Sequence, residues 1–196
     1  MTEISLTDPE ARQMKARHGV DACHSCHIAV EAGKHFIVGY TADNSTNDYW
    51  STVPLAKESQ KLLGIVEISA DKGHFSLNNL EELSELGIKA YMPEAKKGRP
   101  KKKTGVPEEE FSKERFIYNP QDDTHTCPKG SVMHYRFLWP EVKTGTKYRV
   151  YSTDDCMKCP FKAKCTTSVR GRWITRWEKE EIEEEHWKRM KKEGTG

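Results

Sequence analysis

The apolar positions of this 196-residue chain change their period several times, and each change marks an element. Ile28, Val30, Phe36, Val38 and Tyr40 alternate with polar residues, and Ala32-Gly33 lies between the two runs. That period of two predicts a β-hairpin over Cys26 to Tyr40. Before it, Thr7-Asp8-Pro9-Glu10 combines a capping side chain with a following proline. This predicts a short helix from Ala11 to His18, stopped at Gly19. Asn44 to Asp48 reads as a polar loop. Tyr49 to Leu63 reads as a helix with Pro54 near its first turn. Ile65 to Asp71 is a short apolar run, expected to be a buried strand. Leu77, Leu80, Leu83 and Leu86 then recur every three residues, the stripe of an amphipathic helix closed by Gly87. Ile88 to Met92 forms a last short strand before Pro93. The order is β-β-α-β-α-β, and the later strands, joined through helices, should lie parallel.

Beyond Pro93 the pattern dissolves. Lys96 to Lys103 is a basic stretch containing Pro and Gly, and residues 107–172 are polar, turn-rich and hold four cysteines. Trp173 to Lys192 reads as a final helix, acidic first and basic last, as the helix dipole favours. Glu184 with Lys188 and Glu185 with Arg189 would support it at i,i+4 spacing. The expected organisation is a domain over 1–95, a linker over 96–106, a cysteine-rich module over 107–172 and a helix over 173–196.

Charged residues make up 32% of the chain and hydrophobic ones 35%, which limits the core. The formal net charge of +2 gives no global pull on nucleic acid, so only local clusters could bind it. No apolar run is long enough to span a bilayer and no signal-like segment follows Met1, so a cytoplasmic protein is expected. Six cysteines in that setting point to metal rather than disulfides.

Asp71 is the first candidate for chemistry. The strand Ile65 to Ala70 would deliver its carboxylate to a C-terminal strand end, where open α/β sheets hold ligands and metals. A carboxylate there suits a divalent cation beside a phosphate. Asp followed by Lys72-Gly73 is also an ordinary turn.

Cys156-x2-Cys159-x5-Cys165, with Cys127-Pro128-Lys129-Gly130 upstream, has the donor types and spacing of a tetrahedral zinc site. Four protein donors would make it structural, and a module this poor in apolar residues needs such a staple. Free thiols, an iron–sulfur cluster and His125 in place of one cysteine are the alternatives. Cys23-His24-Ser25-Cys26-His27 matches the haem-attachment string CxxCH. Alternation instead puts Cys26 and Ile28 on one hairpin face and His27 on the other, and a second zinc site using Cys23 and Cys26 lies between these readings. Lys96, Lys97, Arg99, Lys101, Lys102 and Lys103 crowd six cations into a stretch without an acid. Gly98-Arg99-Pro100-Lys101 is similar to minor-groove hooks, and the run could equally be a solvated linker that binds polyanions through counterion release.

Several blocks together resemble DDE-type insertion-sequence transposases, in the same order. They are Thr7-Asp8-Pro9-Glu10-Ala11-Arg12, Cys26 to Glu31, Asn47-Asp48, Ala70 to Ser76, and Cys127-Pro128 with Cys156, Cys159 and Cys165. The resemblance implies an α/β fold: a partial RNase H-like core followed by a four-cysteine, zinc-ribbon-like insertion and a C-terminal helix. It implies DNA transposition by metal-dependent strand cleavage and transfer, with transposon ends as the partner. Asp71 takes the place of the second Asp of the DDE triad, a ligand of catalytic Mg²⁺. The first Asp and the final Glu of the family find no counterpart, so the chain is expected to be a truncated copy, inactive alone. A complementing transposase chain or self-association could restore it, and the bacterial nucleoid would be its place of action. Asp8 and Asp48 match family positions and read as a helix cap and a loop acid. His74 replaces the family's usual aromatic, and His24 to His27 replaces Tyr-Asn-x-Gln. The rival readings are a non-catalytic, zinc-bearing DNA-binding module, a haem-carrying redox protein and a decayed remnant.

Overall fold

The computed structural model describes residues 6–16, 18–93 and 108–192. The chain divides into two compact units, Met1–Lys96 with Glu181–Gly196, and Lys97–Glu180.

The first unit opens with β1 (Arg12–Ala16) and β2 (Gly19–Cys23), an antiparallel pair. The expected helix over Ala11 to His18 is therefore corrected to a strand. Asp8 does fold the chain, accepting at Oδ1 from the amides of Glu10 and Ala11, but this makes a turn with no helix after it. The segment has too few apolar residues for a buried helical stripe, whereas the next strand satisfies its backbone groups directly.

The hairpin is present as β3 (Ser25–Val30) and β4 (Ile37–Asp43), with a bulge between Ala29 and Val30. Its loop is pinned by Glu31, whose carboxylate accepts from the amides of Gly33 and Lys34 at 2.6 Å each. Helix α1 (Tyr49–Leu63) follows as expected and ends on Gly64, whose φ of 63° places it in the left-handed region that glycine tolerates. Strand β5 (Glu67–Ser69) is shorter and more exposed than the sequence suggests. It pairs in parallel with β6 (Lys89–Tyr91) alone. With one edge unpaired among the described residues, its side chains are only partly covered.

Helix α2 (Leu77–Glu85) connects them. Ser76 caps it, accepting at Oγ from Asn79 N at 3.1 Å, which satisfies one of the amides a helix start leaves open. Leu80 and Leu83 of this helix pack with Val53, Ala56, Ile88, Ala90 and Met92 to form the core. Helix α4 (Glu180–Lys192) adds Ile182 to that core. It also inserts the fully buried His186, whose Nδ1 and Nε2 lie 3.1 and 2.9 Å from the carbonyl oxygens of Ala90 and Met92. A neutral imidazole carries one N–H, so it donates to one carbonyl at a time. Burial holds the His186 pKa below its ordinary value although both carbonyls favour the charged ring.

The second unit is a sheet in the order β11-β10-β9-β8-β7, every neighbour antiparallel. Its strands are β7 (Ile117–Asn119), β8 (Thr124–Thr126), β9 (Val132–Pro140), β10 (Lys147–Ser152) and β11 (Ile174–Trp177). The turn-rich module is thus more regular than composition suggests, and the helix expected from Trp173 begins only at Glu180. Residues 174–177 instead complete the sheet by pairing with β10, and Ile174 and Trp177 are buried on its two opposite faces. The core joins Phe116, Met133, Tyr151 and Ile174.

Candidate functional site

Asp71 stands just beyond β5, where the sequence places it. Its Oδ1 accepts from Gly73 N at 2.8 Å, so it also caps the turn that follows. The turn reading of this residue is thus observed, at the strand end where the sequence expects the carboxylate.

Two further side chains converge on it. Ligand atoms of Asp48, Asp71 and His74 all lie within 4.8 Å of one another. Asp48 occupies the N-cap position of α1 without making a side-chain capping bond, so its carboxylate is not consumed by the helix. His74 is held from behind, its Nδ1 sharing a 3.0 Å hydrogen bond with Thr52 Oγ1 of α1. When Nδ1 carries the proton, Nε2 is left with a lone pair, the form in which imidazole binds metal. His27 of β3 sets its ring edge-on to His74 with centroids 5.6 Å apart, and Ser25 Oγ holds His27 Nε2 at 2.9 Å. Asn79 ties the surroundings together, donating through Nδ2 to the carbonyls of Tyr49 and His74 at 2.8 Å each.

Gly73 lets the group close. A Cβ there would stand 2.5 Å from Asp48 Oδ2 and 3.0 Å from Asp71 Oδ1. Two carboxylates and an imidazole fit a small divalent cation such as Mg²⁺ or Mn²⁺, with the histidine favouring the latter. Sequence reasoning singled out Asp71 as a candidate and did not single out Asp48 or His74, which the structure places beside it. Asp48 read as a loop acid and His74 as a departure from a family pattern, and no short spacing links either to Asp71. Asp8, read as a helix cap, caps a turn and binds His24 Nε2 at 2.8 Å. That bond, together with the amides of Glu10 and Ala11, holds its pKa below the ordinary value.

Cys127, Cys156, Cys159 and Cys165 line one cavity of about 30 Å³ in the second unit. Phe111, Phe116 and Met133 supply its apolar wall, and Lys129, Lys162 and Arg172 its cations. Cys156 sits in a helical turn over Asp154–Met157, and Cys165 ends the short helix α3 (Lys162–Cys165). Gly171, at a φ of 87°, crosses so close that a Cβ would be 2.6 Å from Cys156 Cβ. The sulfurs share the cavity but are not drawn into a group as tight as the Asp48 cluster, so they are not positioned as a zinc site. Burial, then the neighbouring thiols, push the Cys165 thiol up despite the opposing charge of Arg172. His125 is absent from the lining of this cavity. It is buried against Tyr118 and Tyr151, which removes it as a substitute ligand. Cys23 and Cys26 are free thiols in the first unit. The basic residues Lys96, Lys97, Arg99, Lys101, Lys102 and Lys103 lie outside the described residues.

Residues 126–195 match a family model described as a transposase DDE domain. This part of the chain is similar to DDE transposases. That segment spans all four cysteines of the cavity, strands β9 to β11 and helix α4, while Asp71 lies before it. No curated protein and no solved structure matches the chain. No helix among the described residues is long and apolar enough to cross a membrane.

Proposed function

We propose that the first unit is a partial RNase H-like transposase core and that Asp71, Asp48 and His74 hold its divalent cation. The observation that carries this reading is the convergence of three ligand side chains at the end of β5, from positions with no local spacing rule. When bound, such a cation would polarise a phosphate and steady the oxygen that leaves it. The chain's own contribution is to orient the ligands: Gly73 N holds Asp71, and Thr52 holds His74.

The open edges of the unit support the partial-core reading. A groove of about 550 Å³ is lined by Ile28 and Val30 of β3, Ile68 of β5 and Leu55 of α1. Each of these strands is paired on one side only among the described residues. An additional strand laid there would join the two small sheets into one and end beside Asp71. A complementing transposase chain is one source of it.

In the second unit we propose that the four cysteines, though not positioned for it in advance, take a structural zinc. Four soft donors and an apolar wall suit that ion, whose entry would draw the thiols inward. The Lys96 to Lys103 run is proposed to bind DNA phosphates without base specificity.

The test is a calorimetric Mn²⁺ titration of the 196-residue chain. Wild type should bind, and Asp71→Asn and Asp48→Asn should each lose most of the affinity. No Mn²⁺ binding, or binding untouched by either substitution, would remove the metal reading. Efficient plasmid nicking by the chain alone, lost in Asp71→Ala, would instead show that its core is complete.

A further inference from the structure

We propose that Arg172 donates its Nε–H to the sulfur of Cys165 when the cysteine cavity is loaded, and so holds the quartet as metal-bound thiolates. This rests on the zinc reading of the four cysteines and adds the residue that answers their charge.

Lys129, Lys162 and Arg172 are the cations that line the cavity, and both lysines are already engaged. Lys129 is paired with Glu110, and its ammonium stands 4.6 Å from the centroid of the Phe161 ring. Lys162 donates to the carbonyl of Val169 at 2.9 Å. Arg172 differs: its Nε is buried and has no hydrogen-bond partner. Its guanidinium carbon lies 5.7 Å from the Phe116 centroid, a contact that answers part of the charge but offers the N–H no lone pair. A buried donor without an acceptor costs stability. The cavity holds the missing acceptor in another protonation state. A neutral thiol accepts poorly, whereas a thiolate takes a charge-assisted hydrogen bond. Metal binding is what turns the first into the second.

The local backbone delivers Arg172 to the sulfurs. Gly171 N donates to the carbonyl of Ser168 at 3.2 Å, closing a turn, and Gly171 itself has a φ of 87°. A Cβ on it would stand 2.6 Å from Cys156 Cβ and 3.5 Å from Cys156 Sγ. The chain therefore runs against Cys156 at residue 171 and contributes its next side chain to the cavity lining. Burial opposes ionisation of Cys165, and the field of Arg172 favours it. Four thiolates around one divalent ion leave an excess of negative charge, and beside Phe111, Phe116 and Met133 that charge needs a fixed cation. An N–H aimed at one sulfur supplies it with a direction as well as a sign.

The experiment loads the 196-residue chain with Co²⁺ as a coloured substitute for Zn²⁺ and reads the sulfur-to-cobalt charge-transfer band. Zn²⁺ affinity is measured alongside, by competition with a chromophoric chelator. Arg172→Met keeps an unbranched stem against Phe116 and removes the N–H. It should move the band to longer wavelength, because a thiolate without its hydrogen bond gives up charge more readily. It should also weaken Zn²⁺ binding about tenfold or more. Arg172→Gln puts an N–H at the same distance along the side chain without the charge, and should return the band to its wild-type wavelength. A merely structural role would lower affinity and leave the band where it is. If Arg172→Met takes up no cobalt, Arg172→Lys is read in its place: it keeps the charge, displaces the N–H and should show the same shift. An unshifted band in the variant read, or Arg172→Gln shifted as far as that variant, would overturn the proposal and leave the zinc in place. A wild-type chain without a charge-transfer band would remove the zinc reading and the proposal with it.

Discussion

Asp48 Oδ2 stands 2.5 Å from the point where a Cβ on Gly73 would be. The absence of a side chain at Gly73 is what lets the α1 cap residue reach the turn after β5. Gly73→Ala should therefore weaken Mn²⁺ affinity by roughly tenfold, because Asp48 must swing away from Asp71. The backbone at Gly73 is not in the left-handed region, so the melting midpoint should move little, by less than about 1 kcal/mol of stability. Calorimetry and thermal melting on the same sample separate the two effects. An unchanged Mn²⁺ affinity would remove Asp48 from the ligand set.

His125 should make the second unit sensitive to acid. It is 5% exposed, and neither ring nitrogen has a hydrogen-bond partner. Burial, then the charges of Arg176 and Lys113, lower its pKa to about 4. The unfolded chain therefore binds this proton first as pH falls. Its contribution is fully present above about pH 6.5 and is lost progressively as pH falls towards about 4, roughly 2–4 kcal/mol in all. His125→Phe keeps the ring contacts with Tyr118 and Tyr151 and removes the titration. Urea unfolding at several pH values should show a flatter profile for that variant.

Asp123 is the polar anchor of the same sheet. It accepts from Tyr151 Oη at 2.6 Å and Tyr118 Oη at 3.0 Å, and pairs with Arg149 at 3.3 Å. Asp123→Ala leaves the buried Tyr151 hydroxyl without its acceptor and should cost roughly 2–4 kcal/mol. Pairing it with Tyr151→Phe should recover part of that loss, and a double-mutant cycle by denaturant unfolding measures how much.

Zinc removal should be read in the second unit. A metal-loaded sample treated with a strong chelator should melt about 10 °C or more lower, and Cys159→Ser should already melt low and ignore the chelator. Elemental analysis should find about one zinc per chain in wild type. No bound metal and no chelator effect would leave the four cysteines as free thiols around an apolar cavity.

His186 links sequence-distant parts of the first unit and gives a further check. Its ring spans the carbonyls of Ala90 and Met92 from a helix almost a hundred residues later. His186→Ala should destabilise that unit by roughly 3 kcal/mol through a cavity and an abandoned carbonyl acceptor. Hydrogen exchange should then rise in β6 before it rises in α1.

The sequence by itself determined the elements whose stabilisation is local. The leucine stripe from Leu77 to Leu86 places its own hydrophobic face, and the hairpin of β3 and β4 follows from strict alternation. The parallel pairing of β5 and β6 follows from the intervening helix. The position of Asp71 just after β5 was legible because a short apolar run followed by Asp-Lys-Gly has a local strand-then-turn signature. Tertiary structure decided the rest. Arg12 to Ala16 became a strand because a neighbour could satisfy its backbone and no core could cover a helix. Residues 174–177 joined a sheet because β10 offered a partner edge. Asp48 and His74 reached Asp71 only through the packing of α1 against the turn after β5, and no spacing rule encodes that meeting. The cysteine pattern named the donors, while the fold set how far apart they stand, because sulfur positions follow the backbone of three separate turns.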